Sequence, residues 1–266
     1  MNEPAPAPGV DPTRASIARV YDYALGGKDN FAVDREMLKK LIAVSPETPL
    51  IARINKEFGK RAAEYIADQG VKQFVDLGSG IPTTPPSIHE TVRGIEPGAK
   101  VVYVDNDPIV VAHSRVLRSV DRGTTTILAD LRKPEAILDH SELLSHIDFD
   151  APVAVTIFSV LQAVSDEDDP WGIVRTIRER MAPGSYLAIS HASTRSDSAD
   201  MEHVARVAEE SGYPPLVFRT DEEIGRFFEG FDVVKPGIFD IRSWRPEEKG
   251  PKIGIKLVGG VGRKSG

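Results

Sequence analysis

The 266-residue sequence contains no cysteine. This absence excludes disulfide bonds, thiolate metal ligands and a cysteine nucleophile. No apolar run approaches the roughly 20 residues that span a bilayer. The N-terminal stretch MNEPAPAPGVDP lacks the basic and apolar regions of a signal peptide. We therefore expect a cytoplasmic protein that has no membrane partner.

The sequence also lacks an excess of positive charge, because 33 Lys and Arg residues stand against 40 Asp and Glu residues and give a net charge of −7. Nucleic-acid binding relies on clustered Lys and Arg side chains that contact phosphates, so this balance disfavours a nucleic-acid partner. Hydrophobic residues make up 41% and charged residues 27%, as in ordinary globular proteins. The length suits one α/β domain with an appendage.

The sequence divides into three parts. Residues 1–12 alternate Pro and Ala and are expected to form a disordered leader. Residues 13–70 have helical periodicity and form an N-terminal helical extension, with helices predicted over 34–43, capped by Asp34, and over 48–69, capped by Thr48. Residues 71–262 form an α/β domain that folds as one unit with the extension.

Within the α/β domain, apolar strands alternate with helices. Strands are predicted over 73–77, 101–104, 125–129, 152–158 and 186–190, with helices over 86–94, 109–120, 134–144 and 170–181. The strands are continuous Val/Ile runs, which is typical of a parallel sheet that is covered on both faces. The alternation predicts right-handed βαβ units and a doubly wound, mostly parallel sheet.

The last part of the chain breaks the alternation. Helices are predicted over 200–211 and 221–227, and they are followed by FDVVKPGIFDI and KIGIKLVGG with no helix between them. These two segments are expected to pair as an antiparallel C-terminal edge of the sheet. The final GGVGRKSG is expected to be frayed.

The stretch FVDLGSGIPT (74–83) carries the strongest functional signal. It is a strand followed by a turn with Gly78 and Gly80, and ligands of open parallel sheets bind beyond the carboxyl ends of the strands. Asp105 ends the second strand, where a carboxylate can accept both hydroxyls of a ribose. Asp130 ends the third strand, where it can accept from the exocyclic amine of a base. Together these features predict a nucleoside site.

The turn does not match a phosphate-binding loop. A dinucleotide fingerprint needs a third glycine where this chain has Thr83, and no Walker sequence is present. Pro82, Pro85 and Pro86 remove main-chain donors that a pyrophosphate needs. These features disfavour a nicotinamide-dependent dehydrogenase and favour a nucleoside without phosphates. S-adenosylmethionine is such a ligand, with Asp76 placed near its amino group.

These motifs resemble those of a known class of enzymes. Residues 74–80 with Asp105 and Asp130 resemble motifs I to III of class I S-adenosylmethionine-dependent methyltransferases, and MAPGSYLAIS (181–190) resembles their later turn. The segment RASIARVYDYALGGKDNFAVD (14–34) is similar to the N-terminal signature of a bacterial S-adenosyl methyltransferase family whose acceptors are mostly unassigned. The similarity extends over about residues 13–260. Pro82 departs from the general pattern, in which a third glycine follows.

The resemblance implies a Rossmann-like fold of the class I methyltransferase type and S-adenosylmethionine as the cofactor. Part of the cofactor site is expected in the N-terminal segment, where aromatic rings can face the sulfonium. That segment is predicted to close over the cofactor as a lid with Gly26 and Gly27 as its flexible point; the alternative is an ordinary packed helix. The implied cofactor-binding residues are Tyr23, Gly26, Lys28, Asp76, Gly78, Ser79, Gly80, Asp105, Asn106, Asp130, Leu131 and Phe158.

Candidates for the catalytic residues are fewer. His191, just past the fifth strand, and Tyr21, in the lid, are the predicted bases; Tyr23 is a further candidate, and Gln162 is a candidate for facing the acceptor. A histidine at the end of a strand is also common as a structural residue.

The acidic run DEDDP (166–170) is interpreted as a solvated loop and helix start. No metal site is predicted.

The sequence thus predicts an S-adenosylmethionine-dependent methyltransferase with a small-molecule acceptor. The alternative is a non-catalytic protein that binds S-adenosylmethionine or S-adenosylhomocysteine. Monomer and homo-oligomer both remain open.

Overall fold

The structure of the protein, a computed structural model, describes residues 10–82, 86–118, 123–245 and 253–266, without the side chains of 116–118. Thr83 and Pro85, most of the predicted leader and the end of the helix predicted over 109–120 lie outside these ranges.

Helices and strands alternate through the middle of the chain. Helices run over Ile17–Ala24 (α1), Ala32–Val44 (α2), Thr48–Asp68 (α3), Ile88–Arg93 (α4), Pro108–Arg118 (α5), Pro134–Leu138 (α6), Ser141–His146 (α7), Pro170–Arg180 (α8), Ser198–Glu210 (α9) and Asp221–Arg226 (α10). Strands run over Gln73–Leu77 (β1), Lys100–Asp105 (β2), Thr124–Leu128 (β3), Ala154–Phe158 (β4), Tyr186–Ala192 (β5), Phe231–Val233 (β6), Phe239–Asp240 (β7) and Leu257–Lys264 (β8).

The strands form one sheet of order β3-β2-β1-β4-β5-β8-β6, and β7 also pairs with β8. Strands β1 to β5 are parallel, with pairs such as Asp76 opposite both Tyr103 and Thr156. β8 is antiparallel to β5, β6 and β7. The predicted fold class is therefore confirmed, including the antiparallel C-terminal edge. The order reverses between β1 and β4, which places a ligand site at their carboxyl ends.

Each face of the sheet is covered by its own apolar cluster. One cluster joins β1 to β5 with α6, α7 and α8, and the other packs α3 and α4 with Trp244 against the opposite face. Both clusters are built from the Val, Ile, Leu and aromatic residues of the strands, which explains why the strands show no polar alternation.

The N-terminal extension packs α1 and α2 together and α2 against α9. α3 continues from them onto the sheet, where it contacts β4, β5 and β8. No helix in the described ranges is both long and apolar enough to cross a membrane. The cytoplasmic location and the division into leader, extension and α/β domain stay predictions.

Local details differ from the sequence predictions at several positions. Asp34 was predicted as an N-cap, but α2 begins two residues earlier and Asp34 instead accepts from the Phe31 amide (2.8 Å). Glu47, not Thr48, is the cap position of α3. The helix predicted over 134–144 is split into α6 and α7.

The predicted fraying of GGVGRKSG is wrong over most of its length. Residues 257–262 are buried, because β8 pairs with β5 on one side and with β6 and β7 on the other. A Cβ on Gly259 would lie 2.2 Å from the Ile189 carbonyl oxygen, so the strand can approach β5 this closely only without a side chain there.

Candidate functional site

A cavity of about 780 Å³ lies at the carboxyl ends of β1 to β4. This volume is within the range of about 300–1,000 Å³ that is typical of small-molecule sites. The turns after the strands form its floor, while α1, α3 and residues 212–215 form its other walls. The predicted site residues that line this cavity are Tyr21, Asp76, Gly78, Ser79, Gly80, Asp105, Asn106, Asp130, Leu131 and Phe158.

Two glycines shape the turn after β1 for different reasons. Both have positive φ, +74° at Gly78 and +64° at Gly80, where a side chain would be strained. A Cβ on Gly78 would lie 2.4 Å from Cγ2 of Val160, so the turn needs a glycine in order to pass β4. A Cβ on Gly80 would meet no atom of the described residues within 4 Å, and Gly80 lines the cavity.

Asp105 lies buried at the end of β2, beside this turn. One carboxylate oxygen accepts from the Gly80 amide and the other from the Asp107 amide, each at 2.9 Å. Burial raises the pKa of the Asp105 carboxyl to about 6, and the two amide hydrogen bonds oppose this effect. The side chain is therefore fixed in orientation, and it is more easily protonated than an exposed aspartate.

Asp130 follows β3 at the same end of the sheet. Its carboxylate binds the side chain of Arg132, with a shortest contact of 2.6 Å from Nη2. The hydrogen bond from Arg132 holds the pKa of Asp130 below its usual value. An exocyclic amine that binds Asp130 would therefore have to share this carboxylate with Arg132.

Asp76 and Phe158 line the cavity near the point where the strand order reverses. Asp76 is buried and accepts from the Thr156 hydroxyl at 2.6 Å. The ring of Phe158 packs edge-on against Phe58 and lies 3.2 Å from the position of a Cβ on Gly59. Gly59 thus lets α3 pack directly on this ring.

Two hydroxyls at the cavity have no hydrogen-bond partner among the residues that the structure describes. They are Oγ of Ser79 and Oγ1 of Thr91. Both atoms are buried, and both residues line the cavity. Buried polar atoms normally have partners, so each of these two hydroxyls retains an unused capacity for a hydrogen bond beside the cavity. Together with the cavity-lining main chain of Gly80 and the oriented carboxylate of Asp105, they fit the hydroxyls and amino-acid tail of a nucleoside such as S-adenosylmethionine.

The N-terminal segment forms part of the cavity wall. Ser16 donates to Asp107 at 2.5 Å, and Arg19, which is buried, forms an ion pair with Asp34 at 2.8 Å. Arg19 Nη1 also lies 3.8 Å from the Asp107 carboxylate. Asp107 lies two residues after Asp105, so the contacts of Ser16 and Arg19 with Asp107 attach the segment to the loop beside the predicted ribose-binding acid. This arrangement agrees with a covering segment; whether it opens and closes stays a prediction.

Tyr21 points into the protein rather than acting as a free phenol. Its hydroxyl donates to the Ala52 carbonyl (2.8 Å) and accepts from the Asn55 amide (3.1 Å). Burial raises the pKa of Tyr21 to about 12. A phenol with this pKa stays protonated at neutral pH, so the structure does not favour Tyr21 as a general base.

Three of the predicted cofactor-binding residues lie away from the cavity wall. Tyr23 packs in the apolar cluster of α1, α2 and α9, while Gly26 and Lys28 are exposed. The Gly-Gly turn folds around the carboxylate of Asp22, which accepts from the Asp29 amide and the Asn30 side chain. A Cβ on Gly27 would lie 1.9 Å from Asp22, so Gly27 serves a tight turn.

His191 is fully buried and does not line the cavity. Arg219 donates to its Nε2 at 2.7 Å, so Nδ1 carries the proton and donates to the Ala192 carbonyl at 2.8 Å. Burial lowers the pKa of His191 to about 4. Because Arg219 occupies its only basic nitrogen, His191 has no role as a base in the function proposed below.

Gln162 also makes an internal contact, since its side chain accepts from the Ala192 amide at 3.0 Å. Sequence reasoning missed Asn55, Ser159 and Ser190, which meet at the end of β4. The signals for them were a polar residue on the apolar face of α3, a serine directly after β4 and a serine within the apolar strand β5. All site-residue assignments remain predictions at this point.

No group of three or more His, Asp or Glu side chains suited to a metal ion occurs in the described part of the chain. The run 166–170 contains a short 3₁₀ helix followed by Asp169, which caps α8 by accepting from Gly172 (2.9 Å).

Comparison with known proteins gives matches over almost the whole chain. The family described as S-adenosyl methyltransferase matches residues 3–265. A DUF574 family protein from Streptomyces avermitilis MA-4680 is 38% identical, with a TM-score of 0.90 and coverage of 94% of this chain and 98% of that chain. A Thermobifida fusca YX protein, provisionally assigned as a methyltransferase, is 37% identical, with a TM-score of 0.92 and coverage of 97% and 98%.

A more distant structure shares the fold alone. The N-methyltransferase NodS from Bradyrhizobium japonicum WM9 is 10% identical, with a TM-score of 0.50 and coverage of 80% of this chain and 98% of that chain. A search of the curated proteins gives no match.

Proposed function

This chain belongs to the S-adenosyl methyltransferase family, and we propose that it transfers the methyl group of S-adenosylmethionine to a small-molecule acceptor. The observation that carries the proposal is the pairing of the Gly80 amide with the Asp105 carboxylate at the rim of the cavity. When bound, S-adenosylmethionine supplies a methyl group on a positively charged sulfur, which is a good leaving group.

The residues of the chain would act mainly by binding and orientation. The Asp105 carboxylate, already oriented by two amides, would accept the ribose hydroxyls. The unpartnered Ser79 hydroxyl and the cavity beside Gly80 would receive the amino-acid tail, and Asp130 would accept from the base. Holding donor and acceptor in line removes much of the entropic part of the barrier to such a displacement.

A small acceptor is supported by the cavity itself. Its walls include α1, α3 and residues 212–215, and its volume of about 780 Å³ is of the size that holds a small molecule. The net charge of −7 also disfavours a polynucleotide acceptor.

Binding and turnover test the proposal separately. Calorimetry is expected to detect S-adenosylmethionine and S-adenosylhomocysteine but not NAD. The Asp105→Ala variant loses a pair of charge-assisted hydrogen bonds and should bind about 2–3 kcal/mol more weakly, or about 30- to 150-fold. Asp150→Ala, at an exposed aspartate, is the matched control. Unchanged affinity in Asp105→Ala would refute the ribose assignment.

Turnover is measured with S-adenosylmethionine that is radiolabelled in the methyl group, added to fractions of a bacterial small-molecule extract. The expected result is protein-dependent transfer of label to at least one fraction. Binding without any transfer would favour the non-catalytic alternative.

A further inference from the structure

A serine at the end of β4 has an unusual backbone conformation. Ser159 has φ of +56°, and only two other non-glycine residues in the described ranges, Asp169 and Arg245, have a positive φ. Of the three, only Ser159 lines the cavity. The left-handed conformation costs free energy for a residue with a Cβ, so its occurrence at a cavity is a functional indication.

The backbone of Ser159 is held in this position by β5. Its amide donates to the Ser190 carbonyl at 3.0 Å, directly after the last register pair between β4 and β5, Phe158 with Ser190. Ser159 is therefore placed by the sheet and not by a mobile loop.

Its hydroxyl stands at the end of a chain of hydrogen bonds. Oγ of Ser159 lies 3.5 Å from Oγ of Ser190, which is a weak contact because ordinary O–H···O hydrogen bonds measure about 2.5–3.0 Å. Ser190 is 2.6 Å from Oδ1 of Asn55, Asn55 is 3.1 Å from the Tyr21 hydroxyl, and Tyr21 is 2.8 Å from the Ala52 carbonyl. Both Ser190 and Asn55 are buried.

The buried end of this chain sets its direction. A carbonyl can only accept, so Tyr21 must donate to Ala52 and must accept from the amide nitrogen of Asn55. The Asn55 oxygen then faces Ser190, and the Ser190 hydroxyl has to donate to it. The Ser190 oxygen is left only as an acceptor, which draws the proton of Ser159 towards Ser190.

As a result, the Ser159 oxygen presents lone pairs to the cavity. We propose that Oγ of Ser159 is the hydrogen-bond acceptor at the point of methyl transfer, where it receives the N–H or O–H group of the methyl acceptor. This inference rests on the proposed function and names the substrate class: an acceptor that carries a hydrogen on its nucleophilic atom.

Ser159 acts here by orientation and not as a base. In the transfer, a lone pair of the acceptor atom forms the new bond to the methyl carbon, the S–CH₃ electron pair returns to sulfur, and the acceptor's proton leaves to water. The chain behind Ser159 does not take up this proton, because it ends in a phenol whose pKa burial raises to about 12 and in a carbonyl.

The test uses sinefungin, an analogue of S-adenosylmethionine in which an ammonium group replaces the transferred methyl group. Its N–H groups therefore stand where Ser159 is expected to accept. S-adenosylhomocysteine has no group at that position and reports on the rest of the cofactor site. Both dissociation constants are measured by calorimetry for the full chain, Ser159→Ala, Ser159→Gly and the control Ser145→Ala, at an exposed serine of α7.

In both Ser159 variants the dissociation constant of sinefungin should rise at least about tenfold, while that of S-adenosylhomocysteine should change by less than about twofold. Glycine adopts a positive φ without strain, so Ser159→Gly keeps the test valid if Ser159→Ala folds poorly. An unchanged affinity for sinefungin, or an equal loss for both ligands, overturns the role of Ser159. Failure of the unmodified protein to bind either ligand would instead contradict the proposed function.

Discussion

The main-chain amide of Gly80 donates to Oδ2 of Asp105 at 2.9 Å, and this contact joins the turn after β1 to the end of β2. The Asp107 amide holds the other carboxylate oxygen. The turn after β1 and the loop after β2 thus orient the Asp105 carboxylate without a contribution from a ligand. Such preorganisation reduces the entropy that is lost on binding.

The raised pKa of Asp105 predicts a pH dependence of cofactor affinity. In the proposed site the ribose hydroxyls would bind the ionised carboxylate, and in the free protein the carboxyl is protonated below its pKa of about 6. Affinity for S-adenosylhomocysteine should therefore be constant above about pH 7 and fall by up to about tenfold per pH unit below 6. Calorimetry between pH 5 and 8 measures this. In Asp105→Asn the affinity should be weaker and its pH dependence flat; the same slope in that variant would assign the titration to another group.

Gly80→Ala should separate strain from loss of space. The alanine would have a strained φ and would also place a methyl group in the cavity. Gly70 at the end of α3 has a φ of +83°, again with no atom within 4 Å of a Cβ, but it does not line the cavity. Both variants should lose about 1–2 kcal/mol of unfolding free energy in urea. Only Gly80→Ala should weaken the binding of S-adenosylhomocysteine. If Gly80→Ala and Gly70→Ala bind this ligand with equal affinity, the turn after β1 is not part of the cofactor site.

Closure of the N-terminal segment predicts protection from proteolysis. Ser16 and Arg19 attach this segment to the loop at Asp107, so a ligand at Asp105 should reduce local opening. S-adenosylhomocysteine should slow tryptic cleavage after Arg14 and Lys28 several-fold, as followed by mass spectrometry. Cleavage after Lys39, an exposed residue of α2, serves as the internal reference. If the ligand leaves the cleavage rate at each of the three residues unchanged, the segment is permanently packed and does not close over the ligand.

His191 predicts a pH dependence of stability. Its pKa is about 4 in the folded protein and about 6.5 in the unfolded chain, so below pH 6.5 the unfolded state binds a proton that the folded state does not. Its contribution is complete above pH 6.5 and is lost as the pH falls towards 4, by up to about 1.4 kcal/mol per pH unit.

The measurement is the difference in urea unfolding between the unmodified protein and His191→Gln, whose side-chain oxygen can still accept from Arg219. The difference is used because Asp105 also titrates in this range. Its pKa is raised in the folded protein, so Asp105 increases the unfolding free energy as the pH falls from about 6 to 4, opposite to His191. The difference should shrink as the pH falls from 7 to 5. A difference that does not change with pH would mean that His191 is not held neutral.

The fold was predictable because its strongest signals are local. The continuous Val/Ile segments that became β1 to β5, and the helix signals between them, give the parallel sheet and its order of connections. The glycine turn and the aspartates at strand ends were visible for the same reason, since each belongs to a single βα unit. The pairing of the two C-terminal segments followed from the lack of a helix between them.

Contacts between distant parts of the chain were not predictable. Tyr21 was expected to act as a base, and its phenol forms hydrogen bonds with Asn55 and Ala52 of another helix. His191 was expected at the cavity, and Arg219, which comes from beyond α9, holds it in the core. Asp34 was expected to cap its own helix, and it also forms an ion pair with Arg19 of α1. Each outcome depends on which elements pack together, and no periodicity within one element reports that.

The position of β8 has a consequence for synthesis of the protein. β5 and the short strands β6 and β7 hydrogen-bond to β8, so without residues 257–264 this side of the sheet has unpaired strands. On a ribosome strands β1 to β5 are synthesised first, but the sheet can close only after this stretch has emerged from the exit tunnel. Chains that stop short of it would expose the edge of β5, where aggregation or capture by chaperones begins.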